Sequence, residues 1–194
     1  GIVNVMIPVN SVASHVEFIL NQTRATLVLV SNEKQLAKIK SVKKELTHLN
    51  YAVLLEGDSM ESWVISLNEL KNEGGNFSDD VLRQWQRNIH IDDLASIMYT
   101  SGTTGDPKGI MFSHKNLVYK RFCRAMALPE IGDEDRYLAY LPLYHTFGRW
   151  LEMMGAIFWG AEYVFMENPA LSTMIDNVQR TKPTMFISIP KKWY

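Results

Sequence analysis

The eleven residues Tyr99-Thr100-Ser101-Gly102-Thr103-Thr104-Gly105-Asp106-Pro107-Lys108-Gly109 hold three glycines, one lysine and, between Thr100 and Thr104, four hydroxyl side chains. Glycine lets a backbone turn with positive φ and come close to a ligand. Successive N–H groups in such a turn can converge into an anion-binding nest. Thr100, Ser101, Thr103 and Thr104 add hydroxyl donors, Lys108 adds a point charge suited to phosphate, and Pro107 stiffens the turn. A bare hairpin turn needs only one or two special residues, so the stretch reads as a cradle for a polyphosphate. It is not a Walker A loop, in which the lysine is followed by Ser or Thr and leads into a helix. Here Lys108 is followed by Gly109 and by Ile110-Met111-Phe112, a strand pattern. The loop is therefore expected to join two strands and to hold phosphate with its own amides.

The second candidate is His145, preceded by Tyr144 and followed by Thr146-Phe147-Gly148. It falls where a strand pattern runs into a helical one, and open α/β sheets bind ligands off the carboxyl ends of their strands. Taken alone, it reads as a histidine with a structural hydrogen bond. His114 reads as part of a helix cap. His15, His48 and His90 are scattered, and no Cys/His spacing suggests zinc. Asp133, Glu134 and Asp135 read as a turn before a strand. The apolar run 150–159 reads as core, with the lining of an acyl tunnel as its alternative.

The elements that must position these residues alternate between strand and helix. Strands are expected at 3–8, 25–30, 51–55, 94–99, 110–112, 137–141, 162–166 and 185–189. The first helix is capped by Ser11 or Ser14 and buries Val12, Val16, Ile19 and Leu20. Residues 34–49 form an amphipathic helix with Leu36, Ile39, Val42, Leu46 and Leu49 inward and its lysines outward. Further helices are expected at 115–127, capped by Ser113, at 148–160, and from Asn168-Pro169 to Lys182-Pro183. The last of these would bury Leu171, Met174, Ile175 and Val178. Segment 58–91 is polar, with two short helical patterns (67–70 and 80–86), and Trp63 and Trp85 are expected to pack part of it down. Strands separated by helices imply right-handed βαβ units and mostly parallel sheets with flanking helices, an α/β class. The expected organisation is a first α/β portion (1–57), a polar connection (58–91) and a second α/β portion (92–194) carrying the loop.

The chain has 194 residues, 46% of them hydrophobic and 21% charged, with a formal net charge of −1. That length supports a core, and that balance gives no electrostatic footprint for nucleic acid. The lysine-rich face of the second helix has no interleaved aromatics and reads as a solvated surface. The single cysteine, Cys123, excludes an internal disulfide, suits a reducing cytosol, and is expected to be a small buried residue. No stretch has the length and apolarity of a membrane span, and none reads as a signal peptide.

Residues 99–109 resemble the phosphate-binding signature of the adenylate-forming enzymes, which include acyl-CoA synthetases, luciferase-like ligases and peptide-synthetase adenylation domains. Asp92-Asp93-Leu94-Ala95 leads into the loop as in that superfamily. Leu141-Pro142-Leu143-Tyr144-His145 resembles its aromatic-histidine motif. Residues 1–10 and 183–194 resemble further strands, and 138–148 and 186–193 look most like long-chain fatty acyl-CoA synthetases. The resemblance implies part of an N-terminal domain of the acyl-CoA synthetase-like fold. It implies ATP, Mg2+ and coenzyme A as partners, with Thr100, Ser101, Gly102, Thr103, Thr104, Gly105 and Lys108 on the ATP phosphates. It places Tyr144 and His145 beside the acid, His145 with a catalytic role. The superfamily's magnesium glutamate, ribose-binding aspartate and C-terminal lysine motifs are not found in these residues, so no metal ligand is assigned here. The expectation is a cytoplasmic fragment of a long-chain fatty acid:CoA ligase, open to peripheral membrane contact, inactive by itself and prone to self-association. The alternatives are a relative that activates an aromatic or amino acid, and a non-catalytic nucleotide- or acyl-binding module.

Overall fold

The structure is a computed structural model that describes residues 1–100, 107–166 and 170–188. It divides into two compact units: Gly1–His90 with Tyr99–Ile110, and Ile91–Met98 with Met111–Tyr194. Segment 58–90 clusters with the first unit.

In the first unit, β1 (Asn4–Met6) leads to α1 (Ala13–Gln22), β2 (Leu27–Val30), α2 (Glu33–Val42) and β3 (Tyr51–Leu54). β4 (Val64–Ser66), α3 (Leu67–Gly74) and α4 (Asp79–Arg87) follow. β2, β3 and β4 form a parallel sheet in that order. The central strand β3 buries Ala52, Val53 and Leu54, because a strand covered on both faces must be apolar at consecutive positions. Val16 and Leu20 of α1 and Leu36 and Ile39 of α2 pack on it together with Leu46 and Leu49.

The inward face of α2 agrees with the 3.6-residue pattern, but the helix stops at Val42 and tightens into a 3-10 turn at Lys43–Glu45. Its lysines do more than face water. Lys38 Nζ donates to the carbonyls of Val9 and Ser11 at 2.7 and 2.9 Å, and Lys43 lies over the Trp63 ring at 5.4 Å. α1 is preceded by Val12, which is exposed, and neither Ser11 nor Ser14 caps it. Its burial face begins at Val16. Trp63 packs on the core as expected, whereas Trp85 is 53% exposed and meets the Phe77 ring at 5.6 Å between centroids.

The second unit holds most of β5 (Leu94–Thr100), the end of β6 (Lys108–Ser113), α5 (His114–Ala127), β7 (Arg136–Ala139), a π-helix (Phe147–Met153) and α6 (Met154–Trp159). β8 (Glu162–Phe165) and α7 (Leu171–Thr181) complete it. Ser113 caps α5 in a reciprocal box: its hydroxyl accepts from the Asn116 N–H while the Asn116 side chain accepts from the Ser113 N–H. Replacing Ser113 by Ala should cost about 1 kcal/mol in chemical denaturation; an unchanged midpoint would show that the cap contributes nothing. β7 pairs with β8 in parallel. α6 ends at Gly160, whose φ of 75° favours a residue without Cβ. Arg136 holds Glu162 by an ion pair and donates to the Thr181 carbonyl, which joins β7 to β8 and to the end of α7.

Four expectations are corrected in this unit. Cys123 is exposed, because α5 turns apolar residues outward on that side, Phe122 and Met126 among them. Ile175 is 69% exposed, while Met174 and Val178 pack inward against Leu138, Tyr140 and Met166. The apolar segment after His145 begins as a π-helix. The strand expected at 185–189 reduces to one parallel bridge between Met185 and Tyr137, with 186–188 irregular. Ala170 occupies the cap position of α7; Asn168-Pro169 and residues 189–194 lie outside the described residues.

Candidate functional site

β5 and β6 are neighbours in the sheet β1-β5-β6, and residues 101–107 connect them. Residues 101–107 therefore join two strands, and it is β6, not a helix, that begins at Lys108. Thr100 ends β5 and Lys108 opens β6, with Thr100 Oγ1 3.5 Å from the Lys108 carbonyl oxygen. The Lys108 side chain is exposed. Ahead of the loop, the Tyr99 hydroxyl donates to Gln22 Oε1 at 2.5 Å, and partial burial raises its pKa. This ties the end of β5 to α1. Ser101, Gly102, Thr103, Thr104 and Gly105 lie outside the described residues.

The base of the two strands is held in the second unit. His114 N–H donates to the Asp93 carbonyl at 3.0 Å and Lys115 N–H to the Ile91 carbonyl at 2.6 Å. His114 is thus the first residue of a capped helix, as its position in the sequence suggested. The Lys115–Asp92 pair at 3.6 Å is exposed and contributes at most about 1 kcal/mol.

Tyr144 and His145 occupy a turn between β7 and the π-helix. Tyr144 is half-buried and His145 exposed. His145 N–H donates to the Pro142 carbonyl at 3.0 Å, and its own carbonyl accepts from Arg149 N–H. The imidazole stacks on Phe147 at 5.9 Å between centroids, and Nδ1 accepts from the Phe147 N–H at 3.4 Å. With Nδ1 as acceptor, the neutral ring carries its proton on Nε2, where it can donate to a carboxylate. Thr100 and Lys108 thus stand in the first unit, Tyr144 and His145 in the second.

Two residues on the π-helix that follows His145 were given no role from the sequence. Gly148 is buried against the preceding turn so tightly that a Cβ would lie 2.5 Å from the Pro142 oxygen and 2.6 Å from the Leu141 oxygen. Glu152 is 1% exposed, and Oε2 has no hydrogen-bond partner among the described residues. Burial pushes its carboxyl up to about 8, opposed by a hydrogen bond from the Leu141 backbone. In the sequence it stands as a lone acid in the apolar run 150–159. Asp135 is a turn residue: it accepts from Thr184 Oγ1 and Gly132 N–H, which lower its pKa. Among the described residues no three His, Cys, Asp or Glu side chains converge on a metal site, and no helix is long and apolar enough to cross a membrane.

The family model for AMP-binding enzymes matches residues 1–194. The chain belongs to the AMP-binding enzyme family. Curated relatives of this AMP-binding chain include a long-chain-fatty-acid–CoA ligase of Rattus norvegicus, 28% identical over 183 residues, and a second from the same organism, 29% identical over 188 residues. Each alignment covers 91% of this chain and 25% and 28% of the relative, respectively, so the chain spans about a quarter of those proteins. Among solved structures, an anthranilate CoA ligase in complex with anthranoyl-AMP superposes with a TM-score of 0.77 at 24% identity, over 98% of this chain and 36% of that one. A benzoate CoA ligase of Burkholderia xenovorans superposes at 0.76 and 16% identity, over 100% of this chain and 36% of that one. These likenesses establish the α/β fold of acyl-CoA ligase N-terminal domains for the AMP-binding chain.

Proposed function

We propose that the chain is part of an ATP-dependent acid:CoA ligase that activates a long-chain fatty acid. In the first half-reaction a carboxylate oxygen attacks the α-phosphorus of ATP, and the bond to pyrophosphate breaks. In the second, the coenzyme A thiolate attacks the acyl carbon and AMP leaves. The observation that carries this reading is the strand–loop–strand placement of residues 99–109, with Lys108 exposed at the first position of β6. A lysine and loop amides placed there can meet charge developing on pyrophosphate. Thr100, Ser101, Gly102, Thr103, Thr104, Gly105 and Lys108 take the phosphates in this proposal, and Tyr144 and His145 take the acid, with Nε2–H donating to its carboxylate. Magnesium would be carried by the ATP phosphates, and none of these residues is assigned as its ligand. The fatty acid is favoured by the names of the curated relatives. A cytoplasmic enzyme able to touch a membrane surface is part of the same proposal.

The experiment is acid-dependent pyrophosphate exchange by the complete enzyme, with palmitate, acetate and benzoate as competing acids. Palmitate should be preferred, and Lys108→Ala should lower the exchange rate roughly 10²-fold with little change in acid KM. Preference for benzoate or acetate would overturn the substrate class. An unchanged rate in Lys108→Ala would take that residue off the phosphates, and no exchange at all would favour a non-catalytic binding module. The 194 residues alone are expected to make no adenylate. β2, an edge strand with Leu29 exposed, is a ready surface for self-association.

A further inference from the structure

The helix α5 carries Lys120, Arg121 and Arg124 and no acid. Among the described residues no ion pair engages any of the three. Arg121 is 5% exposed, and its Nη1 has no hydrogen-bond partner among the described residues. That nitrogen lies 3.8 Å from where a Cβ on Gly155 would stand, so the guanidinium reaches across to α6. A second buried donor is in the same position. Trp150 of the π-helix is 3% exposed, and its indole Nε1 has no partner among the described residues either. Its ring meets Phe112 at 5.5 Å between centroids, and its carbonyl accepts from Arg124 Nη1 at 3.4 Å. Arg121 and Trp150 line one small cavity of about 10 Å³, together with Phe112, Leu117, Lys120 and Met154.

We infer that this cavity between α5 and the π-helix is a binding site for one monatomic anion, a halide such as chloride, held by Arg121 Nη1–H and Trp150 Nε1–H. A buried charge is costly until it is paired, and a buried N–H without a partner calls for a bound ion or water. Size limits the occupant: about 10 Å³ is the room of about one water-sized sphere, too small for a carboxylate or a phosphate. Donor chemistry then chooses between water and an anion. Guanidinium, indole and ammonium groups only donate, and the other lining side chains offer no acceptor stronger than the Met154 sulphur. A water could accept from both nitrogens, but its own hydrogens would face those side chains. A halide takes both donors and has no hydrogens to place. It also offsets repulsion within the helix, since Lys120 and Arg124 are four residues apart, a spacing at which like charges destabilise. Burial, and after it Arg124, lower the Arg121 guanidinium to about 10, which leaves it charged at neutral pH. Neither Arg121 nor Trp150 takes part in the proposed ligase steps, so the site stands whether or not that reading does.

The test uses chloride and bromide on the complete protein. With ionic strength held constant by gluconate, chloride should raise the melting temperature by about 2 °C along a saturating curve. Trp150→Phe keeps an aromatic ring against Phe112 and loses the indole donor, so the midpoint of its curve should move to about tenfold higher chloride. Arg121→Met keeps a long apolar stem and loses the charge, and its melting temperature should no longer respond to chloride. Should R121M fail to fold, W150F and a bromide experiment still decide. Crystals soaked in bromide should show an anomalous peak between Arg121 Nη1 and Trp150 Nε1, and the same soak of W150F should show it weakened or gone. A wild-type melting temperature that does not depend on chloride at constant ionic strength would overturn the inference. So would a W150F midpoint equal to that of the wild type. Density for a water, or for an acceptor of the protein itself, on the two nitrogens would overturn it as well.

Discussion

Replacing Gly148 by Ala should cost about 3 kcal/mol of stability and roughly 10²-fold in adenylation rate. The added Cβ would stand 2.5 Å from the Pro142 oxygen, 2.6 Å from the Leu141 oxygen and 2.9 Å from the Leu141 carbonyl carbon. All three are backbone atoms, so no side chain can swing aside. Pro142 has its φ fixed by its ring, so the turn has little freedom to yield. Overpacking a well-fitted site typically costs 1–3 kcal/mol, and a collision with the backbone belongs at the top of that range. The relief must come from moving the helix or the turn, and the turn holds His145 through its N–H bond to Pro142. Stability and rate should therefore fall together. Denaturant midpoints and acid-dependent pyrophosphate exchange would check it; a Gly148→Ala enzyme with wild-type values in both would mean that helix and turn are not packed as described.

Gly148 also shows which parts of this molecule can be read in its sequence. The inward positions of α2 follow from spacing alone, because burying one face of a helix imposes a 3.6-residue period whatever lies opposite. The period persisted through Leu46 and Leu49 although the helix ended at Val42, since the 3-10 turn kept those side chains on the same side. The strand–loop–strand frame of Lys108 was legible for a similar local reason: a glycine and an apolar triplet follow the lysine. Contacts set by tertiary partners were not legible. β4 is three residues long and acquires its strand character by pairing with β3. Cys123 and Ile175 lie on apolar helix faces that this chain leaves exposed. Gly148 carries no motif, because what it meets, the Leu141-Pro142 backbone, lies six to seven positions away across a turn.

Glu152→Gln should stabilise the protein at neutral pH and leave it nearly unchanged in acid. The unfolded carboxyl titrates near 4.5, whereas burial in the folded protein raises it to about 8. Below 4.5 both states are protonated, and the side chain carries no ionisation penalty. Between 4.5 and 8 the unfolded chain releases a proton that the folded chain keeps, so wild-type stability falls as pH rises, by at most about 1.4 kcal/mol per pH unit. Above 8 both states are ionised and the loss stops growing. The glutamine variant has no such proton. The difference in unfolding free energy, variant minus wild type, should therefore be close to zero at pH 4 and reach on the order of 3 kcal/mol at pH 7. It should level off above pH 8. The neighbouring groups do not blur this window. Burial raises Tyr137, Tyr140 and Tyr163 from an already high value, so they stay neutral, and Arg121, lowered by burial to about 10, stays charged. Denaturation of both proteins at pH 4, 5.5, 7 and 8.5 would measure the difference directly. Parallel curves across that range would mean that Glu152 is ionised in the folded protein and paired with a cation. A gap that opens between 4.5 and 8 would show that Glu152 keeps a neutral carboxyl group in the folded protein.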